Sequence, residues 1–148
     1  HPDIPIAAYD LAPRPKGLPD NIVWIQGDLL TQPPPDKNGI LIANLFLHHF
    51  EKPELIALAH WLANFQTLII NEPLRARLPL FLGKMLYPFI HPVTRHDMRV
   101  SIEAGFIHGE LPNLLGLDTN SHSIQEESTF RGSIRIIAKR KDLPSEAI

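Results

Sequence analysis

Four polar side chains in this sequence each close a short apolar run. Asp10 follows Ile4 to Tyr9, Asp28 follows Ile22-Val-Trp-Ile25 by two residues, Asn44 follows Gly39-Ile-Leu-Ile-Ala, and Glu72 follows Thr67-Leu-Ile-Ile70 by one. Their chemistry is recognition and not acid–base work. A carboxylate at the end of such a run can accept both hydroxyls of a ribose. A second carboxylate can accept from an exocyclic amine, with Leu11 and Leu29 as apolar walls for a base. Asn44 offers an amide and a freed backbone carbonyl to a polar or charged tail. Together they suit an adenosine carrying a cationic centre. Any one of them alone reads equally well as a turn or cap residue.

The runs themselves are the elements that must position these groups. Gly39 to Asn44 is an unbroken apolar stretch, which fits a strand buried on both faces, since a strand with one wet face would alternate. Leu11 to Gly17 and Thr31 to Lys37 are proline-rich connections. Pro53 to Asn64 reads as a helix, with Leu55, Leu58, Ala59 and Leu62 on one face. Leu78 to Phe89 is a second apolar helix, serving as core or lid. Arg95-His96-Asp97 falls in a loop, after which Ser101 caps a short helix from Ile102 to Phe106. Glu110 to Leu115 is another helix. Ser121 to Glu127 and Gly132 to Arg140 alternate and form an antiparallel hairpin, and Asp142 to Ile148 is a frayed tail. Strands alternating with helices imply an α/β, doubly wound, mostly parallel sheet with a C-terminal antiparallel hairpin at its edge. Ligands in such sheets bind outside the carboxyl ends of the strands, the rim on which the four side chains converge.

At 148 residues the chain has the length of one domain. The net charge of −2 provides no basic excess for a nucleic-acid partner. The absence of cysteine excludes disulfides, thiolate catalysis and Cys-based metal sites, and His48–His49 lack the spaced co-ligands a metal needs. The longest apolar stretch carries Lys84 and is shorter than the roughly 20 residues of a transmembrane helix. No charged-then-apolar leader is present, so a cytoplasmic location is expected.

Tyr-Asp10-Leu, Gln-Gly-Asp28-Leu, Ile-Ala-Asn44-Leu-Phe-Leu-His-His-Phe50, Ile-Ile-Asn-Glu72-Pro and the closing Phe-Arg-Gly-Ser-Ile-Arg-Ile-Ile-Ala-Lys-Arg140 resemble class I S-adenosylmethionine-dependent methyltransferases. Thr94-Arg-His-Asp97 through Ser101-Ile-Glu-Ala-Gly-Phe106 is similar to a bacterial small-molecule branch of that family. The resemblance covers residues 4 to 141. It implies a Rossmann-like fold with S-adenosylmethionine as cofactor. Asp10 would hold the ribose with Leu11 bordering it, Asp28 the adenine amine with Leu29 beside the ring, and Asn44 and Leu45 would face the methionine portion. The family also places a first strand and a Gly-x-Gly-x-Gly turn ahead of the position of Asp10, where this sequence has nine residues. In family topology that strand lies between those ending at Asp10 and Asn44. The sheet is therefore expected to be N-terminally incomplete, with another copy of the chain in a homo-oligomer, a strand exchange or residues ahead of His1 filling the gap.

Methyl transfer from a sulfonium is a direct displacement governed mainly by alignment, and a neutral histidine can serve as base where the acceptor is a hydroxyl or amine. His96 and His49 are the candidate catalytic residues. His48, Phe46, Arg75 and Met85 are candidates for the acceptor site, with Arg75 able to meet an acidic group. The small-molecule acceptor is expected to be hydrophobic or aromatic, on the strength of Phe46, Leu82, Met85 and Phe89. An NAD(P)-dependent oxidoreductase could use the same ribose carboxylate. A catalytically silent Rossmann-like binding module would keep the fold without the cofactor.

Overall fold

The computed structural model describes residues 4–33, 35, 39–130 and 132–141. The expected tail Asp142 to Ile148 and part of the loop Thr31 to Lys37 lie outside them. The chain divides into two compact units, His1–Pro34 and Pro35–Ile148.

The first unit is a two-stranded parallel sheet of β1 (Ile6–Asp10) and β2 (Ile22–Gln26), in register from Ile6 with Ile22 to Asp10 with Gln26. Parallel strands need a crossover, and here it is irregular because Pro13 and Pro15 cannot donate to a ladder. Arg14 organises it instead. Its guanidinium donates to the carbonyls of Ile22 (2.7 Å), Leu18 (3.1 Å) and Pro19 (3.1 Å), while Trp24 Nε1 donates to Ala12 O at 3.0 Å. No described residue of this unit is buried.

The second unit holds β3 (Ile40–Asn44), α1 (Lys52–Leu62), β4 (Thr67–Pro73), α2 (Arg77–Leu86), α3 (Pro92–Ala104), α4 (Glu110–Leu114), β5 (His122–Ser128) and β6 (Ser133–Arg140). Its sheet runs β3-β4-β6-β5, with β3 parallel to β4 and the other pairs antiparallel. The terminal hairpin thus contributes the edge strand β5 and an inner strand, β6. Leu68 and Ile70 of β4 and Ile134, Ile136 and Ala138 of β6 are no more than 2% exposed on one face. Leu55, Leu58, Trp61 and Leu62 of α1 and Leu111 of α4 are buried with them. Each of the buried leucine and isoleucine side chains contributes roughly 1.5–3 kcal/mol through burial.

The opposite face corrects the expectation for β3. Ile42, Ile69 and Ile137 form one cross-strand row, and they are 73%, 37% and 37% exposed. Ile40 on the same face is also exposed. The strand is therefore not buried on both sides, because an apolar run does not itself supply the covering layer.

α1 begins with a capping box in which Glu51 and Glu54 each accept the other's backbone N–H, and Asn64 folds its side-chain amide back to the carbonyls of His60 and Trp61. Pro79 is tolerated in α2 because it lies in the first turn, where backbone donors have no partner. The Leu78–Phe89 stripe is not core: Leu78, Phe81, Leu82, Met85 and Phe89 are exposed. α2 instead packs through Gly83, whose missing side chain leaves room for Met98 and Ile102 of α3.

The region beyond differs most from expectation. Arg95, His96 and Asp97 are helical, and Ser101 lies inside α3 and not at a cap. Pro92 starts this helix with its ready-made φ, and His91 Nδ1 accepts from Val93 N–H at 3.3 Å. α3 stops at Ala104 because the next residues join the sheet side: Leu74 and Phe106 form a parallel bridge, with Phe106 N–H donating to Pro73 O (2.9 Å) and Arg75 N–H to Phe106 O (3.0 Å). Only glycine fits at 105, where a Cβ would lie 2.3 Å from Pro73 O.

Candidate functional site

In the first unit, Asp10 ends β1 and Asp28 lies just past the end of β2, so the parallel pairing delivers both carboxylates to the same end. Both are exposed, and each also shapes its own turn. Asp10 Oδ1 accepts from Ala12 N–H at 2.8 Å, and Asp28 Oδ1 caps the single 3-10 turn Leu29–Thr31 through Leu30 N–H at 3.0 Å. The second oxygen of each stays open among the described residues. Leu11 is 73% exposed and Leu29 half-buried beside them.

In the second unit, Asn44 and Asn71 are register partners at the ends of β3 and β4, and Asn71 Nδ2 donates to Asn44 Oδ1 at 2.8 Å. Asn71 Oδ1 is buried with no donor among the described residues. Leu45 then takes a left-handed backbone, φ 52°, anchored by its N–H to Asn71 O at 2.8 Å. That conformation costs a leucine about 1–2 kcal/mol and needs firm support.

Glu72 provides the support. It is fully buried and not on the expected open rim, because β4 continues past Ile70 to Pro73 and its alternation turns Glu72 inward. Its carboxylate accepts the backbone N–H groups of Phe46 (2.9 Å), Leu47 (2.8 Å) and His48 (3.3 Å), and pairs with His48 Nδ1 at 2.8 Å. A carboxylate on Nδ1 fixes that nitrogen as the donor, which leaves Nε2 of a neutral ring as the acceptor. The sequence signal for this is Glu72 itself, an acidic residue at the end of an apolar strand.

A cavity of about 460 Å³ opens next to this pair, lined by His48, His49, Phe50, Arg75, Phe106 and Glu110 among others. Three of the candidate residues, His48, His49 and Arg75, meet here. Phe106, the last residue of the Ser101-to-Phe106 stretch, joins them, as do Glu110 at the start of α4 and Lys52 at the start of α1, neither of which the sequence singles out. Arg75 Nη2 donates to Glu110 Oε2, Ile107 N–H donates to the same oxygen, and Lys52 Nζ lies 3.7 Å from Oε1. Burial pushes the pKa of Glu110 up, but these bonds and the two cations outweigh it and hold the carboxyl below its ordinary value.

The remaining candidates lie apart from the cavity. His96 sits on α3 and lines a second hollow with Lys84, Tyr87, Arg95 and Arg99, away from His49. Asp97 makes no bond to it: neighbours on a helix point about 100° apart. Phe46 packs edge-on against Phe50 at 5.1 Å, and Met85 stands 61% exposed on α2. Among the described residues no helix is long and apolar enough to cross a membrane.

Comparison with known protein structures places this architecture. The chain superposes on human N-acetylserotonin methyltransferase, solved in complex with SAM, with a TM-score of 0.61 at 14% identity, covering 95% of this chain and 42% of that one. It matches LepI, also solved with SAM, at 0.58 and 12%, covering 95% and 38%. It matches the S-adenosylmethionine-dependent methyltransferase SibL at 0.58 and 11%, covering 96% and 45%. The chain thus spans less than half the length of each. No protein-family model and no curated protein matches the sequence. At these identities the likeness shows the fold: an α/β, Rossmann-like methyltransferase fold with a C-terminal antiparallel hairpin.

Proposed function

We propose that this chain is part of an S-adenosylmethionine-dependent methyltransferase acting on a small hydrophobic or aromatic molecule. The observation that carries this reading is the pairing of Asp10 and Asp28 at one end of parallel strands, each with an open carboxylate oxygen. Two such acceptors match the ribose hydroxyls and the exocyclic amine of adenosine. Asp10 with Leu11, and Asp28 with Leu29, would hold the nucleoside. Asn44 and Leu45 would meet the methionine portion.

S-adenosylmethionine, when bound, supplies an electrophilic methyl group on a sulfonium. The chain's own residues then have to orient the acceptor and, for a hydroxyl or amine, remove its proton. His48 is better prepared for the latter than His49 or His96, because Glu72 fixes its tautomer and the ring borders the cavity. His49 lies at the same cavity, its ring centroid 4.1 Å from that of His48, and serves the acceptor side.

Calorimetry with S-adenosylhomocysteine and with NAD tests this, on the 148-residue chain and on a form extended ahead of His1. Binding of S-adenosylhomocysteine by either form, weakened about tenfold or more by Asp10→Ala and by Asp28→Ala, is the expected result. NAD binding alone points to an oxidoreductase, and no binding by either form to a silent binding module; both overturn the proposal.

A further inference from the structure

The cavity beside His48 is lined by an arginine whose hydrogen-bond donors are only partly used. Glu51 is engaged in the α1 capping box, and Glu110 accepts from Arg75 and Ile107 with Lys52 close by. Arg75 uses only Nη2 of its side chain: Nε and Nη1 have no acceptor among the described residues, and the side chain is 40% exposed. Phe50 and Phe106 supply aromatic walls. A guanidinium with open donors at a partly apolar cavity matches a planar carboxylate, which it can grip with two parallel bonds. The backbone holds Arg75 at this place, since its N–H is fixed to Phe106 O.

We infer that the acceptor is an aromatic or hydrophobic acid whose carboxylate docks on Arg75, which makes Arg75 a specificity-determining residue. The inference rests on the methyl-transfer reading for the identity of the ligand as acceptor, but the anion subsite can be measured without it. Lys52, 72% exposed at the rim, adds positive potential and no geometry.

Benzoate and its neutral analogue benzamide are the probes, titrated by NMR into the 148-residue chain. Benzoate should bind about tenfold or more tightly than benzamide, with Arg75→Gln removing the preference and Arg75→Lys restoring part of it, as a point charge without the fork does. Chemical-shift dispersion reports whether each variant is folded. Equal affinity of the two probes, no binding of either, or a preference that survives Arg75→Gln overturns the inference. If S-adenosylhomocysteine binds and the carboxylate preference is absent, the subsite alone is wrong. If the preference holds and S-adenosylhomocysteine does not bind, the methyl-transfer reading fails and the anion subsite stands.

Discussion

The two faces of the four-stranded sheet are built from the same kinds of residue and meet opposite fates. Ile136 and Ile137 are neighbours on β6, one fully buried and one 37% exposed. Ile70 and Ile69 on β4 repeat the contrast at 1% and 37%. Alternation along a strand decides only that successive side chains part company. Which of the two becomes core depends on the layer that covers it, and here α1 and α4 bury their apolar residues with the face that carries Ile70 and Ile136. Stability should therefore be concentrated on one side of the sheet, and the following measurements press on that asymmetry.

Glu72→Ala on the buried face should cost the most, about 3–5 kcal/mol, because it strands three backbone donors and one imidazole away from water. A urea unfolding curve that shifts by less than about 1 kcal/mol would mean those groups find water instead. Ile136→Ala should cost about 2–5 kcal/mol by leaving a cavity.

The pH dependence is smaller. Glu110 has its folded pKa lowered, so its contribution is complete above the ordinary value of 4.5 and is lost as pH falls through the folded value. Acid unfolding of wild type should therefore be steeper below about pH 4.5 than that of Glu110→Gln, which removes the titrating group. Identical acid profiles would show that the ion pair with Arg75 contributes nothing to folding. At the bottom of the scale, Ile137→Ala and Ile42→Thr on the open face should stay within about 0.5 kcal/mol of wild type. A loss comparable to that of Ile136→Ala would show that this face is covered in solution.

The strands and the terminal hairpin are legible because short apolar runs and clean alternation suit few conformations besides the extended one. Burial is not legible: Gly39 to Asn44 is apolar enough to be enclosed, yet Ile40 and Ile42 are exposed. Helix α3 is obscured because Pro92 reads as a break in sequence and as a start in three dimensions. For the candidate site, residue type brings out His48, His49 and Arg75, but the cavity they share also depends on Phe106 and Glu110. Those arrive through the bridge between residues 74 and 106, a pairing without a local sequence signature beyond Gly105. The place of Glu72 at a strand end is plain from its neighbours in the chain; the direction of its side chain, inward and not toward a rim, depends on how far β4 continues.

Glu72 also couples motions that the chain could otherwise make separately. Because one carboxylate clasps three successive amides contributed from beyond β3, the turn that carries Leu45 cannot lift without fraying the end of β4. Asn44 is consequently presented from a stiff mount, with slow exchange expected for the amides of Phe46 and Leu47. Any breathing of this part of the sheet has to come from elements this clasp does not hold.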